Sequence, residues 1–362
     1  MKRQNNRYTV LPKKITGFTL IELLVASALS IIVLIAAGSG FVTTQKLSQV
    51  AKGRLQVQND LRNATNMIVR DARMAGSFGC FNLAKMAANN QAKLKDHGTG
   101  NVLLGALEFN NQNQGVKYLN GSSLSFTDFT INTSSPKVLL FTYGIGSSSG
   151  YTGSKDSFSV QIEKGGELAE LAGQTDAPII ISTCSSLERF PSSTKKLSGS
   201  VLTVKDLSPN LSPDHDTQVN PKLQSEISVF RQVVNIYAIG TPKGGEEGLY
   251  LFQLNPNGEI SAPQLLLAGV TSWELEFGYI QSPGCKSMQN DAKIKFVNNI
   301  ESNKTALSPA LLRMKLKGSG GGEVKSGKAA NNSESDVQTY YINATIRGGN
   351  SCAERNFQED AN

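Results

Sequence analysis

Residues 18–42 form a run of 25 mostly apolar positions, and no Lys or Arg occurs from Ile15 to Gln45. About 20 apolar residues cross a bilayer as a helix, so this stretch is long enough to span one with some tilt. An ordinary cleaved signal peptide is the competing reading, because Ala26-Ser27-Ala28 mimics a small-residue cleavage site. Two features oppose it: the apolar run continues through residues 31–37, and a carboxylate, Glu22, would lie inside the short hydrophobic region.

Beyond the apolar run no proline interrupts the chain before Gly76. Leu47, Val50, Val57, Leu61, Ala64, Ile68, Ala72 and Ala75 recur at mostly three- and four-residue steps, the pattern of an amphipathic helix that Gly53 weakens without ending. Residues 18–75 together predict one rod of 58 residues, about 87 Å long. Its outer half needs a domain to pack on, and its inner half needs lipid or neighbouring helices.

After Cys80 the pattern turns extended. Short β-rich runs at 103–107, 138–143, 157–162 and 178–184, separated by Gly, Ser and Asn clusters, predict an enlarged irregular β region. Clearer strands follow at 227–239, 249–254, 272–279, 311–317 and 340–347, with a turn at "NPNG". Trp273, Leu275, Phe277 and Tyr279 alternate with Glu274 and Glu276, and Leu312, Met314 and Leu316 alternate with Arg313, Lys315 and Lys317. One apolar and one solvated face predict an antiparallel sheet with the helix covering the apolar side, an α+β fold.

Composition sharpens this picture in two places. The formal net charge is +7, but residues 1–17 alone carry +5 through Lys2, Arg3, Arg7, Lys13 and Lys14, leaving the other 345 residues near balance. The basic character is therefore topological, holding that flank on the cytoplasmic side, and no nucleic-acid partner is expected. Four cysteines, Cys80, Cys184, Cys285 and Cys352, are widely spaced and follow the apolar run, which favours disulfides in an oxidising compartment. Three pairings exist; the one expected joins Cys80, at the helix end, to Cys184, at a strand end, with Cys285–Cys352 as the second bridge.

Catalytic and cofactor chemistry finds little support. The Gly-rich segment from Gly322 to Lys328 approaches a P-loop, but Ala329 replaces the Mg²⁺-ligating Ser or Thr and no periodic helix follows. The two histidines, His97 and His215, sit in polar loop text without a spaced ligand set, so no metal site, cofactor or enzyme activity is expected. Glu22 stands apart. An ionised group in a bilayer costs several kcal/mol, roughly 2.5 to 3.5 on insertion scales, and is functional by default.

Read together, Lys13, Lys14 and "GFTLIE" from Gly17 to Glu22 resemble the class III leader of type IV prepilins and pseudopilins. The resemblance implies cleavage between Gly17 and Phe18 by a prepilin peptidase, N-methylation of Phe18, and an assembly role for Glu22. The stretch from Arg54 to Cys80, with "GLYLFQ" and "LLLAGVTSWELEFGY" later, is similar to PilW-type minor pilins. Residues 1–17 would then be the leader, 18–42 the transmembrane and filament-core helix, 43–76 its amphipathic continuation, and 77–362 a periplasmic β-rich domain. The implied function is that of a minor pilin in a tip or priming complex of the type IV pilus. It would reside in the bacterial inner membrane and then in the pilus, with other minor pilins, the major pilin and the inner-membrane assembly platform as partners. A J-type minor pseudopilin of a type II secretion system, or an exported adhesin or hydrolase on an uncleaved anchor, are the alternatives. The second would need neither Gly17 nor Glu22.

Overall fold

The computed structural model describes residues 17–79, 81–83, 94–96, 115–146, 151–154, 157–161, 168, 179–182, 187–190, 195–198, 201–205, 228–255, 259–280, 294–300, 309–319 and 337–346. The chain divides into two compact units, Met1–Leu55 and Gln56–Asn362, and one helix, Leu20–Met74, contributes to both. In the first unit its large apolar side chains from Leu20 to Leu47, and Leu55, are exposed, while Val50 is half-buried. In the second, Val57 and Leu61 become half-buried and Ala64, Ile68, Ala72 and Ala75 fully buried. The small alanines allow close approach of the helix backbone to the sheets.

The helix is stopped by Gly76, whose φ of 76° is the left-handed conformation that glycine adopts without Cβ strain. Gly76 N–H then donates to the Thr142 carbonyl at 2.8 Å, so the turn is pinned to a strand. Gly115 must also be glycine: at φ 69° it lies where a Cβ would come within 2.2 Å of Gly76 N.

Two sheets share the main core with the helix. The first is organised on the long strand Ser228–Pro242. One of its edges pairs with Gly248–Gln253 and Ile179–Ser182, the other with Lys137–Ile145 and Phe129–Ile131, all antiparallel. The second runs Ile294–Val297, Val270–Ile280, Leu311–Ser319, Val337–Thr345, again antiparallel throughout. Leu139, Phe141, Tyr237 and Leu251 from the first sheet, and Trp273, Phe277, Met314 and Ile342 from the second, meet Ala64, Ile68, Ala72 and Ala75 in one apolar cluster. The reverse face of the first sheet has its own small core, in which Val138, Ile236 and Phe252 are capped by Phe126 and Phe129.

This is the pilin-like α+β arrangement expected from the sequence, a long N-terminal helix packed on antiparallel sheet. The alternations are as read: Trp273, Leu275, Phe277 and Tyr279 are buried, and Glu274 lies outward with Lys315 and Lys317. Among the described residues one pairing departs from the antiparallel rule, Leu187–Phe190 lying parallel to Leu94–Asp96. The 103–107 run, Cys80, Cys184, Cys285, Cys352, His97, His215 and the Gly322 loop lie outside the described residues.

Candidate functional site

The candidate site begins where the helix begins. Residues 17–19 are non-helical, and Phe18 is 90 % exposed. Among the described residues a Cβ built on Gly17 meets no atom within 4 Å. Thr19 is the N-cap. Its amide and hydroxyl both donate to Glu22 Oε2, each at 3.0 Å, and the Glu22 amide approaches Thr19 Oγ1 at 3.4 Å. This is a capping box, in which Thr and Glu three residues apart satisfy each other's orphan backbone donors. Glu22 also places negative charge at the positive end of the helix dipole.

The capping box heads a helix whose apolar segment has a mean hydropathy of 2.6 over 18 residues, none of that window buried. Among the described residues it is the one helix long and apolar enough to cross a membrane. Its hydroxyls are self-satisfied: Ser27, Ser30, Ser39, Thr43 and Thr44 each donate to a carbonyl three or four residues back, at 2.8–2.9 Å. Sequence reasoning thus located Gly17, Phe18 and Glu22 on one short segment, and missed Thr19 as the partner of the carboxylate. The T-x-x-E spacing ahead of an apolar run was the signal.

A second polar cluster was also missed. Asp71 lies on the helix yet is only 3 % exposed. Its Oδ1 accepts from the Tyr143 hydroxyl at 2.9 Å; its Oδ2 accepts from Asn235 Nδ2 at 2.7 Å and the Tyr237 hydroxyl at 2.5 Å. Burial, followed by the Asp71 charge and the hydrogen bond to it, pushes both phenols well above the ordinary tyrosine range. Three donors from two strands converge on one helix carboxylate, so the network joins helix to sheet. Among the described residues no group of three His, Cys, Asp or Glu side chains is arranged to hold a metal.

Residues 12–38 match the family described as the prokaryotic N-terminal methylation motif. No curated protein and no solved structure matches the chain. The matched segment contains the exposed residues 17–19, the capping box and the helix as far as Gly38, and it supports a type IV pilin-like prepilin that is processed by prepilin peptidase, anchored in a membrane and assembled with other pilins.

Proposed function

We propose that the chain is a minor pilin of the PilW type, a non-catalytic subunit of the tip or priming complex that starts type IV pilus assembly. The observation that carries this reading is the Thr19–Glu22 box at the head of an apolar helix whose large apolar side chains from Leu20 to Leu47 are exposed among the described residues. Such a helix is stable only in lipid or among other helices, and both are offered in turn by an inner membrane and a filament core.

Residues 1–17 act as leader, cut after Gly17 on the cytoplasmic side. Among the described residues nothing lies within 4 Å of a Cβ built at Gly17, which supports a glycine kept for the peptidase's close approach to the backbone. Cleavage makes a cationic amine at Phe18 one helical turn from Glu22. Before assembly the carboxylate neutralises its own amine; in the filament it pairs with a neighbour's and sets the register of addition. Residues 18–42 form the membrane and filament-core segment, 43–76 its continuation, and 77–362 the periplasmic domain, whose partners are other minor pilins, the major pilin and the assembly platform.

The disulfides Cys80–Cys184 and Cys285–Cys352 belong to the same proposal. Ser182 Oγ donates to the Phe78 carbonyl at 2.9 Å, and each of these residues stands two positions before a cysteine. The deciding experiment is a clean deletion in the native host. Loss of surface pili with secretion intact supports the reading; loss of secreted enzymes with pili intact assigns the chain to a type II secretion system instead.

A further inference from the structure

The strand Val337–Thr345 ends the second sheet, and among the described residues it pairs with Leu311–Ser319 alone. An open strand edge is a template for another chain, and proteins blunt such edges with short strands, charge, proline or bulges. Other strands that end a sheet here are blunted in this way. Leu94–Asp96, Lys195–Ser198 and Ile294–Val297 are three or four residues long and each contains lysine, and the pairing of Gln264–Ala268 is broken by a bulge. Val337–Thr345 has none of these devices. Its nine residues, "VQTYYINAT", include no charge and no proline, and its register with Leu311–Ser319 runs unshifted from end to end.

The backbone direction along this strand is fixed by two contacts. Just past its end the Ile346 amide donates to the Ala310 carbonyl at 2.8 Å, so even-numbered residues turn toward the sheet. The Trp273 amide, turned away from Leu311–Ser319 to Ser135 Oγ, gives the same phase through the register Trp273, Leu316, Tyr340. Thr339, Tyr341, Asn343 and Thr345 therefore aim their N–H and C=O groups at the open edge. Their side chains are exposed, Tyr341 by 66 %, while Ile342 and Ala344 are buried in the main core and hold the strand straight.

The chemistry of the edge selects its occupant. The nearest charges on the exposed face are Arg313 and Lys315, opposite Asn343 and Tyr341, and they are already paired with Glu276 and Glu274 at 3.1 and 3.3 Å. A charged segment finds nothing to recruit it. Laid antiparallel on itself about Tyr341, the strand meets no like charge: Tyr341 faces Tyr341 and Thr339 faces Asn343, aromatic and hydrogen-bonding pairs that favour cross-strand contact. The outward backbone groups of both strands then fall in phase.

We propose that two copies of the chain associate through this edge, Val337–Thr345 pairing antiparallel with the same strand of the second copy about a two-fold axis at Tyr341. The proposal rests on the edge alone and stands or falls separately from the assembly role.

Sedimentation equilibrium of the full chain in detergent, over a range of concentrations, tests it. A monomer–dimer equilibrium is expected. Asn343→Pro removes an outward donor and spares the ladder to Leu311–Ser319, a placement that an edge strand tolerates; it should weaken association more than about tenfold and leave the unfolding midpoint near that of the parent. Charge variants decide the matter even if the proline unfolds the sheet. Tyr341→Lys and Tyr341→Glu each set like charges face to face across the axis and should each weaken the dimer about threefold, whereas an equal mixture of the two should regain it. That recovery requires residue 341 to meet itself. A monomer at every concentration, the result if a strand of a different protein takes the edge, would overturn the proposal. So would a dimer unchanged in a folded Asn343→Pro, or a mixture that regains nothing.

Discussion

Asp71 on the long helix accepts a hydrogen bond from Tyr237 on the central strand at 2.5 Å, and through it the helix is keyed to the sheet. Hydrogen bonds to a charged group contribute roughly 1.5–3 kcal/mol each, and a buried donor left without its partner adds a penalty. Asp71→Ala, which strands the Tyr143, Asn235 and Tyr237 donors, is therefore expected to destabilise the domain by about 3 kcal/mol, with Tyr237→Phe losing less. Urea unfolding of the full chain in detergent measures both. A loss under about 0.5 kcal/mol, the range of an ordinary surface substitution, would reject the keying role.

The same network makes the fold sensitive to alkali. Tyr143 and Tyr237 both ionise above the ordinary tyrosine range when folded, chiefly through burial. An unfolded tyrosine loses its proton near pH ~10, so the contribution of these phenols is complete below that pH and is lost as pH rises from it toward the folded values. The double variant Tyr143→Phe/Tyr237→Phe should unfold with a shallower pH dependence above pH ~10 than the parent. Equal slopes would show that the phenols do not titrate with unfolding.

At the head of the helix, capping and charge can be separated. Glu22→Gln keeps a side chain able to complete the box with Thr19, since Gln serves at that position, and removes the charge. Glu22→Ala removes both. If the carboxylate pairs with a terminal amine during assembly, both variants insert and are processed, and both fail to co-purify with other pilus subunits. Wild-type recovery of Glu22→Gln would leave capping as the only role.

Processing has its own readout. The mature chain is expected to start at N-methylated Phe18, seen by mass spectrometry of the N-terminal peptide. A larger residue at Gly17 should block this while leaving domain stability unchanged, because the site is open in the fold. A start at Leu29 or an intact leader would refute the assignment.

The cysteine pairing is checked by non-reducing peptide mapping, with Cys80–Cys184 and Cys285–Cys352 expected. Closing long loops stabilises by on the order of 4 to 5 kcal/mol in the chain-entropy model, so reduction should lower the unfolding midpoint markedly. A peptide joining Cys80 to Cys285 or to Cys352 contradicts the pairing.

Where period and burial agree, the sequence was readable. The helix from Leu20 and the alternation around Trp273 and Met314 appear as expected, because each needs only one apolar face and one neighbour. The strand Leu187–Phe190 was not readable: its Glu188 and Arg189 are almost fully buried, so polar letters mark interior positions. Its parallel partner lies about 90 residues earlier in the chain, beyond any local pattern. Asp71 hid for a related reason. It sits three residues after Ile68 and four before Ala75, on the buried stripe, but a stripe counted in apolar letters skips a carboxylate whose donors come from distant strands. At the N-terminus Glu22 stood out as a charge inside an apolar run, whereas Gly17 and Phe18 were marked only by the resemblance to a prepilin leader.

The serine and threonine side chains of the apolar helix have a thermodynamic consequence of their own. Each hydroxyl already returns its proton to a carbonyl of the same helix. Hydropathy scales charge a hydroxyl for the water it gives up, yet these lose no partner when the surroundings change from acyl chains to protein. The middle of the helix is consequently close to indifferent between the two solvents. What discriminates between them is gathered in its first turn, so extraction from a bilayer and insertion into a bundle would be decided by a few polar atoms at one end, while the length of the apolar barrel sets only how much surface must change hands.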